Sequence, residues 1–180
     1  MRPEREAASN LRGIWQAHDE NRLTAGWTAA KQLYKNLGAN PDAANYAGLL
    51  TIKAFFLADD AELYQKSNVE MEDFFYHIAE EFLTEARKLC GFETESPKYT
   101  VQWWKAYRHK DKEATLKGII AEHETQFGHL PPEEGERYAK LCAERLVTAA
   151  MQGHDVRDWR KTDQLLEKYF DIYFEALKKK

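Results

Sequence analysis

Four side chains that could bind a cation or move a proton recur every fourth position, Asp73, His77, Glu81 and Glu85, with Glu80 beside them. On a helix that spacing stacks them into one column, where a neutral imidazole between carboxylates can ligate a divalent metal or act as a base. The same helix carries Met71, Phe74, Ile78 and Phe82 on a roughly opposite stripe. The apolar stripe is expected to face the core, so the column is expected to face water and carry no metal.

A second pattern is Glu133-x-x-Glu136 with Asp155-x-x-Asp158. Acids one helical turn apart can share a metal, and two such pairs have the general form of a four-acid, magnesium-dependent, all-helical nucleotide pyrophosphohydrolase. Both pairs fall where helices are expected to begin, and first-turn acids are favoured there by the helix dipole without any chemistry. His154-Asp155 matches the dipeptide of one class of phosphohydrolases. The preceding Gly153 and a following helical pattern assign Asp155 to a cap.

Other catalytic and metal signatures are missing. No histidine among His18, His77, His109, His123, His129 and His154 has an acid three residues before it, which removes the Glu-x-x-His pair of carboxylate-bridged di-iron bundles. Nor is there a His-Glu-x-x-His zinc motif, a nucleophile elbow or a phosphate-cradling glycine loop. No catalytic residue, metal ligand or cofactor is assigned on these grounds, and a non-enzymatic role is favoured.

The segment 98–117 offers different chemistry. Trp103, Trp104 and Tyr107 lie among Lys105, Arg108, Lys110, Lys112 and Lys117. Cations for phosphates and flat rings for unpaired bases are what single-stranded nucleic acid requires. From Lys98 to Gly118 six bases face two acids, whereas from Asp59 to Glu95 eleven acids face three bases. The leading expectation is therefore a helical binding subunit of a protein or nucleoprotein assembly, contacting single-stranded nucleic acid through these eight residues. The pyrophosphohydrolase is the alternative. A third reading is an oligomeric structural or regulatory protein, because Trp15 and the last helix (Trp159, Leu166, Tyr169, Phe170, Tyr173, Leu177) present more apolar surface than a terminal helix usually hides.

The chain that must position these groups has 180 residues, 43% of them hydrophobic and 13% aromatic, enough for one core. A single domain over residues 1–180 is expected. Strand-type alternation is absent, and Gly and Pro fall between apolar repeats of helical period. The reading is an all-α, irregular bundle of about seven to eight helices with mostly antiparallel neighbours. Boundaries are expected at Thr24 (cap), Gly38 (left-handed stop), Asn40-Pro41 (cap and first residue), a Ser67-to-Glu70 capping box, Gly91, Thr100 (cap), Gly128, Pro131-Pro132, Gly153 (stop) and Asp155 (cap). Ala54 to Ala58 is the longest apolar run, so no membrane span is expected. No secretory leader is read at the start, and Cys90 and Cys142 read as buried free thiols, which together predict a cytoplasmic location.

Overall fold

The computed structural model describes residues 2–179. Eight α-helices succeed one another: α1 Pro3–Asp19, α2 Leu23–Asn36, α3 Pro41–Tyr64, α4 Val69–Leu89, α5 Pro97–Arg108, α6 Lys112–Gln126, α7 Pro132–Ala150 and α8 Trp159–Lys178. A single π turn, Met151–Asp155, joins the last two. There is no strand among the described residues, and the all-α bundle is as expected. No helix is long and apolar enough to cross a membrane among those residues.

Consecutive helices pack on one another, and α8 closes the bundle by returning to α1. α3 presents Ala44, Ala47, Gly48, Ala54, Ala58 and Ala61 to its neighbours, all small. Small residues bring backbones close: a Cβ on Gly48 would sit 2.6 Å from the Lys31 backbone nitrogen of α2. α5 and α6 approach the same way, a Cβ on Gly118 meeting Trp103 Cβ at 2.7 Å. The apolar stripe of α8 lies inside the bundle, with Leu166, Tyr169, Phe170 and Tyr173 buried, so the surplus surface that suggested a covering partner is covered by the chain itself.

Several boundaries differ from the sequence reading, each for a local reason. Asn68, not Ser67, caps α4, its side chain accepting from Met71 N–H. α5 starts at Pro97 rather than after Thr100, because Glu93 accepts from the backbone of Glu95 and Ser96 and turns the chain there. α2 begins at Leu23 without a Thr24 cap. Asp158, not Asp155, caps α8 through Lys161 N–H, and Gly153 lies within the π turn instead of ending a helix. Gly38 and Gly91 do take left-handed φ values of 95° and 70°. On α4 the inward face is Glu72, Tyr76, Ala79, Leu83 and Ala86, one position off the expected stripe, which leaves Phe74 exposed.

Two neighbouring groups on α6, the buried His123 and the half-buried Glu122, contribute opposite pH dependences to stability in mild acid. Burial lowers His123 to about 4, and its Nδ1–H donates to Ile119 O while Nε2 accepts from Tyr169 O–H, so the ring is held neutral. Burial raises Glu122 to about 7, against the opposing hydrogen bond from Trp103 Nε1. His123 stabilises the fold above pH 6.5 and loses that contribution as pH falls towards 4. Glu122 stabilises it below about 4.5 and loses that contribution as pH rises to 7. The two slopes have opposite signs and offset each other in the wild type. Denaturant titrations between pH 4.5 and 6.5 are expected to show a nearly flat midpoint for the wild type, a midpoint rising with pH for Glu122→Gln and one falling with pH for His123→Gln.

Candidate functional site

The ends of four elements converge on one cleft of about 290 Å³. α1 contributes Trp15, His18 and Asp19, which share a face through three-and-four spacing. α3 contributes Phe55, Asp59 and Glu62, and α5 contributes Trp104, Tyr107 and Arg108, at the same spacings. The π turn brings His154 and Asp155, and Arg157 comes next in a left-handed conformation at φ 63°. One extra residue in a helical turn rotates the downstream side chains out of register, and such turns recur at functional sites. Gly153 makes this one possible, since a Cβ there would sit 2.8 Å from the Trp159 ring packed beneath it.

Acids and bases alternate across the cleft. Glu62 Oε2 lies 3.4 Å from Arg108 Nε, and Arg108 Nη2 donates to Asp59 Oδ1 at 3.1 Å. Asp59 Oδ2 stands 2.5 Å from His18 Nε2, and His18 Nδ1 is 3.4 Å from Asp19 Oδ1. Neither nitrogen of His18 is aligned for a hydrogen bond, so these contacts are ionic in character. Asp19 then accepts from His154 Nδ1 at 3.0 and 3.1 Å, with Arg157 Nη1 3.8 Å away. A side branch runs from Tyr107 O–H to Asp155 Oδ2 at 3.0 Å and on to Lys110 at 3.8 Å.

The charge states result from these contacts. Burial alone would raise Asp19, but the hydrogen bond from His154 and then the contact with His18 hold it well below the usual carboxylate range. Burial opposes charge on His18 too, and is outweighed by Asp19 and Asp59, so its pKa is raised. Asp59 is lowered, His18 and Arg108 overcoming its burial. Burial and then Asp155 push the Tyr107 hydroxyl up, keeping it a donor. The wall behind this network is aromatic: Phe55 and Trp104 have ring centroids 4.3 Å apart, and Trp15 lies 5.3 Å from the His154 ring. His154 Nε2 has no protein partner among the described residues.

The residues singled out in 98–117 stand elsewhere than expected. Trp103 and Trp104 are buried, at 7% and 4% exposure, so they are core and not a stacking platform. The basic charges of α5 are met by the acidic α3–α4 pair: Lys105 reaches Glu72 and Asp73, and Arg108 reaches Asp59 and Glu62. Lys110 pairs with Asp155 and Lys117 with Glu113. Lys112 has no ion pair among the described residues. Five of the eight, Trp103, Trp104, Tyr107, Arg108 and Lys110, are brought together at the cleft, the two tryptophans as part of its wall.

The column of Asp73, His77, Glu81 and Glu85 faces water as expected, each side chain more than half exposed. Glu133 and Glu136 open α7, whereas Asp155 and Asp158 lie beyond its far end, at least ~20 Å away by the helical rise. Those four acids cannot share one metal site. Among the described residues no group of three or more His, Cys, Asp or Glu side chains is arranged to hold a metal ion. Asp19, Asp59 and Glu62 were not legible as site residues. A usable signal was present, however: Gln16-Ala17-His18-Asp19 and Gln152-Gly153-His154-Asp155 repeat one pattern, and the two copies meet in the fold.

Comparison with family models, curated proteins and solved structures finds no match for this chain.

His18 has a raised pKa, so its contribution to stability is complete below pH 6.5 and is lost as pH climbs through its native value. The wild-type denaturation midpoint is expected to fall as pH rises above 6.5. His18→Gln should flatten that decline and lower stability at pH 6.5 by about 1–3 kcal/mol, the range for an unpaired buried acid left behind. A decline of unchanged slope in His18→Gln contradicts the assignment.

Proposed function

We propose that this chain binds a small molecule in the cleft between α1, α3, α5 and the π turn, and carries out general acid–base chemistry on it. The observation that supports this reading is the His154–Asp19 pair. A carboxylate with 10% of its side chain exposed fixes Nδ1 of an imidazole, leaving Nε2 without a protein partner beside an aromatic-walled cleft. A base oriented by a third group, in a concave site with displaced pKa values, is what a proton-transfer site requires.

In this reading His154 Nε2 is the catalytic residue, accepting or returning a proton. Asp19 is a positioning residue, fixing the tautomer with Nδ1–H. Arg108, Arg157 and Lys110 supply donors for an electronegative head group, and Trp15, Phe55 and Trp104 hold a flat or apolar portion. Cations and acids at the cleft nearly balance, so the favoured ligand has both donor and acceptor groups and little net charge. A volume near 290 Å³ at the lower edge of ligand pockets points to a metabolite-sized molecule, not a polymer.

A second reading, a binding subunit within a protein assembly, draws support from Leu63, Val69 and Phe74, which flank the α3–α4 turn and are 77%, 62% and 53% exposed. Light scattering across a concentration series tests self-association of the wild type against Leu63→Ser/Phe74→Ser.

A thermal-shift panel of nucleosides, sugars, amino acids and aromatic acids tests the first reading. At least one class is expected to raise the Tm of the wild type, and not that of Trp15→Ala or His154→Gln. Where turnover of the bound compound is found, His154→Gln should lower kcat by about 10²–10⁴-fold, the usual weight of a general base. Asp19→Asn should lower kcat while leaving KM near the wild-type value. No shift with any class, or shifts that persist in both cleft variants, contradicts the proposal.

A further inference from the structure

The aromatic wall of the cleft has a second side. Trp15, Phe55, Trp103 and Trp104 also line a partly open chamber of about 150 Å³ between the helices. All eight helices contribute to it, and its remaining surface is largely aliphatic and aromatic, including Leu11, Leu83, Leu146 and Tyr169. That volume accommodates about one six-membered ring, and apolar cavities of this size take benzene or xenon.

A chamber holds ordered water when polar groups around it need partners. Here those groups are occupied with one another. Tyr34 and Thr51 share a hydrogen bond of 2.8 Å, and Tyr169 O–H is used on His123 Nε2. Arg87 is bound to the backbone carbonyl and carboxylate of Glu93. Trp103 Nε1 donates to Glu122 Oε2 at 2.7 Å. Thr100 O–H donates to Ser96 O at 3.3 Å and stands beside Glu122. The least engaged group is Glu122 Oε1, on which Gln126 makes only a long 3.4 Å bond. With Oε2 committed to Trp103, a proton on this carboxyl belongs on Oε1, making it a donor.

We infer that the chamber is a second subsite, built for a single six-membered ring bearing a hydrogen-bond acceptor that meets Glu122 Oε1. Trp15, Phe55, Trp103 and Trp104 border both spaces; taking this ring as the apolar arm of the molecule whose polar head lies at His154 rests on the cleft reading, and the affinity of the chamber for a ring does not. The ligand class is then an aromatic or alicyclic ring with an oxygen or nitrogen substituent at its inner edge, joined to a polar, hydrogen-bonding head.

The test uses benzene and phenol as probes on the full chain, read by methyl-resolved NMR at Leu83 and Leu146. Both are expected to give saturable shifts at pH 6. Phenol should bind at least as tightly as benzene, because Glu122 compensates its desolvated hydroxyl. Glu122→Leu should weaken phenol at least tenfold and leave benzene within a few-fold of wild type. Leu146→Phe, filling the chamber, should abolish both; Leu11→Phe at the chamber's edge serves the same purpose if that variant does not fold. Absence of saturable shifts in the wild type, or their survival in the filled variant, overturns the subsite. Benzene has no polar group and reads the chamber alone. Benzene binding with no ligand for the cleft overturns the head-group assignment only, and cleft ligands with no benzene binding overturn the chamber only.

Discussion

Asp19 is the residue on which the arrangement of this molecule turns. Its carboxylate ends α1 in a nearly closed setting and receives His154 from the π turn, with His18 and Arg157 beside it. A charge so enclosed is costly unless several partners converge on it, and removing one partner leaves the remainder unpaired. The constraint therefore extends outward. His18 must reach Asp59, Asp59 must reach Arg108, and Arg108 must reach Glu62, which ties α1 to α3 and α3 to α5. These helix pairs touch over small areas only, so the ionic chain joins elements that apolar packing joins weakly.

That chain also explains why the charge asymmetry along the sequence does not produce an electropositive surface. The acidic stretch from Asp59 to Glu95 and the basic stretch after Lys98 form adjacent elements, α3–α4 and α5, whose charges meet each other. Glu72 shows the extent of this: it is 1% exposed and is met by His109 at 2.6 Å and by Lys105 at 3.6 Å. A charge run read from sequence as a surface for a partner is, in this fold, one half of an internal contact.

The fold class was legible because amphipathic period and Gly/Pro punctuation act locally, and both are strong here. Asn40-Pro41, Gly38 and Gly91 each carry a backbone requirement that few other residues meet. The caps at Asn68 and Asp158 were missed by one and three residues, because several capping residues compete in each loop and tertiary packing selects among them. The π turn is beyond reach of periodicity, since it depends on Trp159 packing under Gly153. The cleft was legible only in fragments. His154-Asp155 stood out as a dipeptide, but bringing His154 to 3.0 Å and His18 to 3.4 Å from the Asp19 carboxylate is a property of α1 and the π turn meeting, 135 residues apart in the chain. Trp103 and Trp104 misled because helical phase places two adjacent rings on different edges, whereas α6 closes on Trp103 at Gly118 and Phe55 of α3 packs against Trp104.

The most direct measurement of the central claim is nitrogen-detected NMR of the histidine rings at pH 6.5, compared between wild type and Asp19→Asn. The account predicts a His18 ring protonated on both nitrogens for more than half the population, and a His154 ring with Nδ1 protonated and hydrogen-bonded, both signatures weakening in the variant. A His18 ring predominantly neutral, or a His154 ring whose Nδ1 resonance is indifferent to Asp19→Asn, would contradict it.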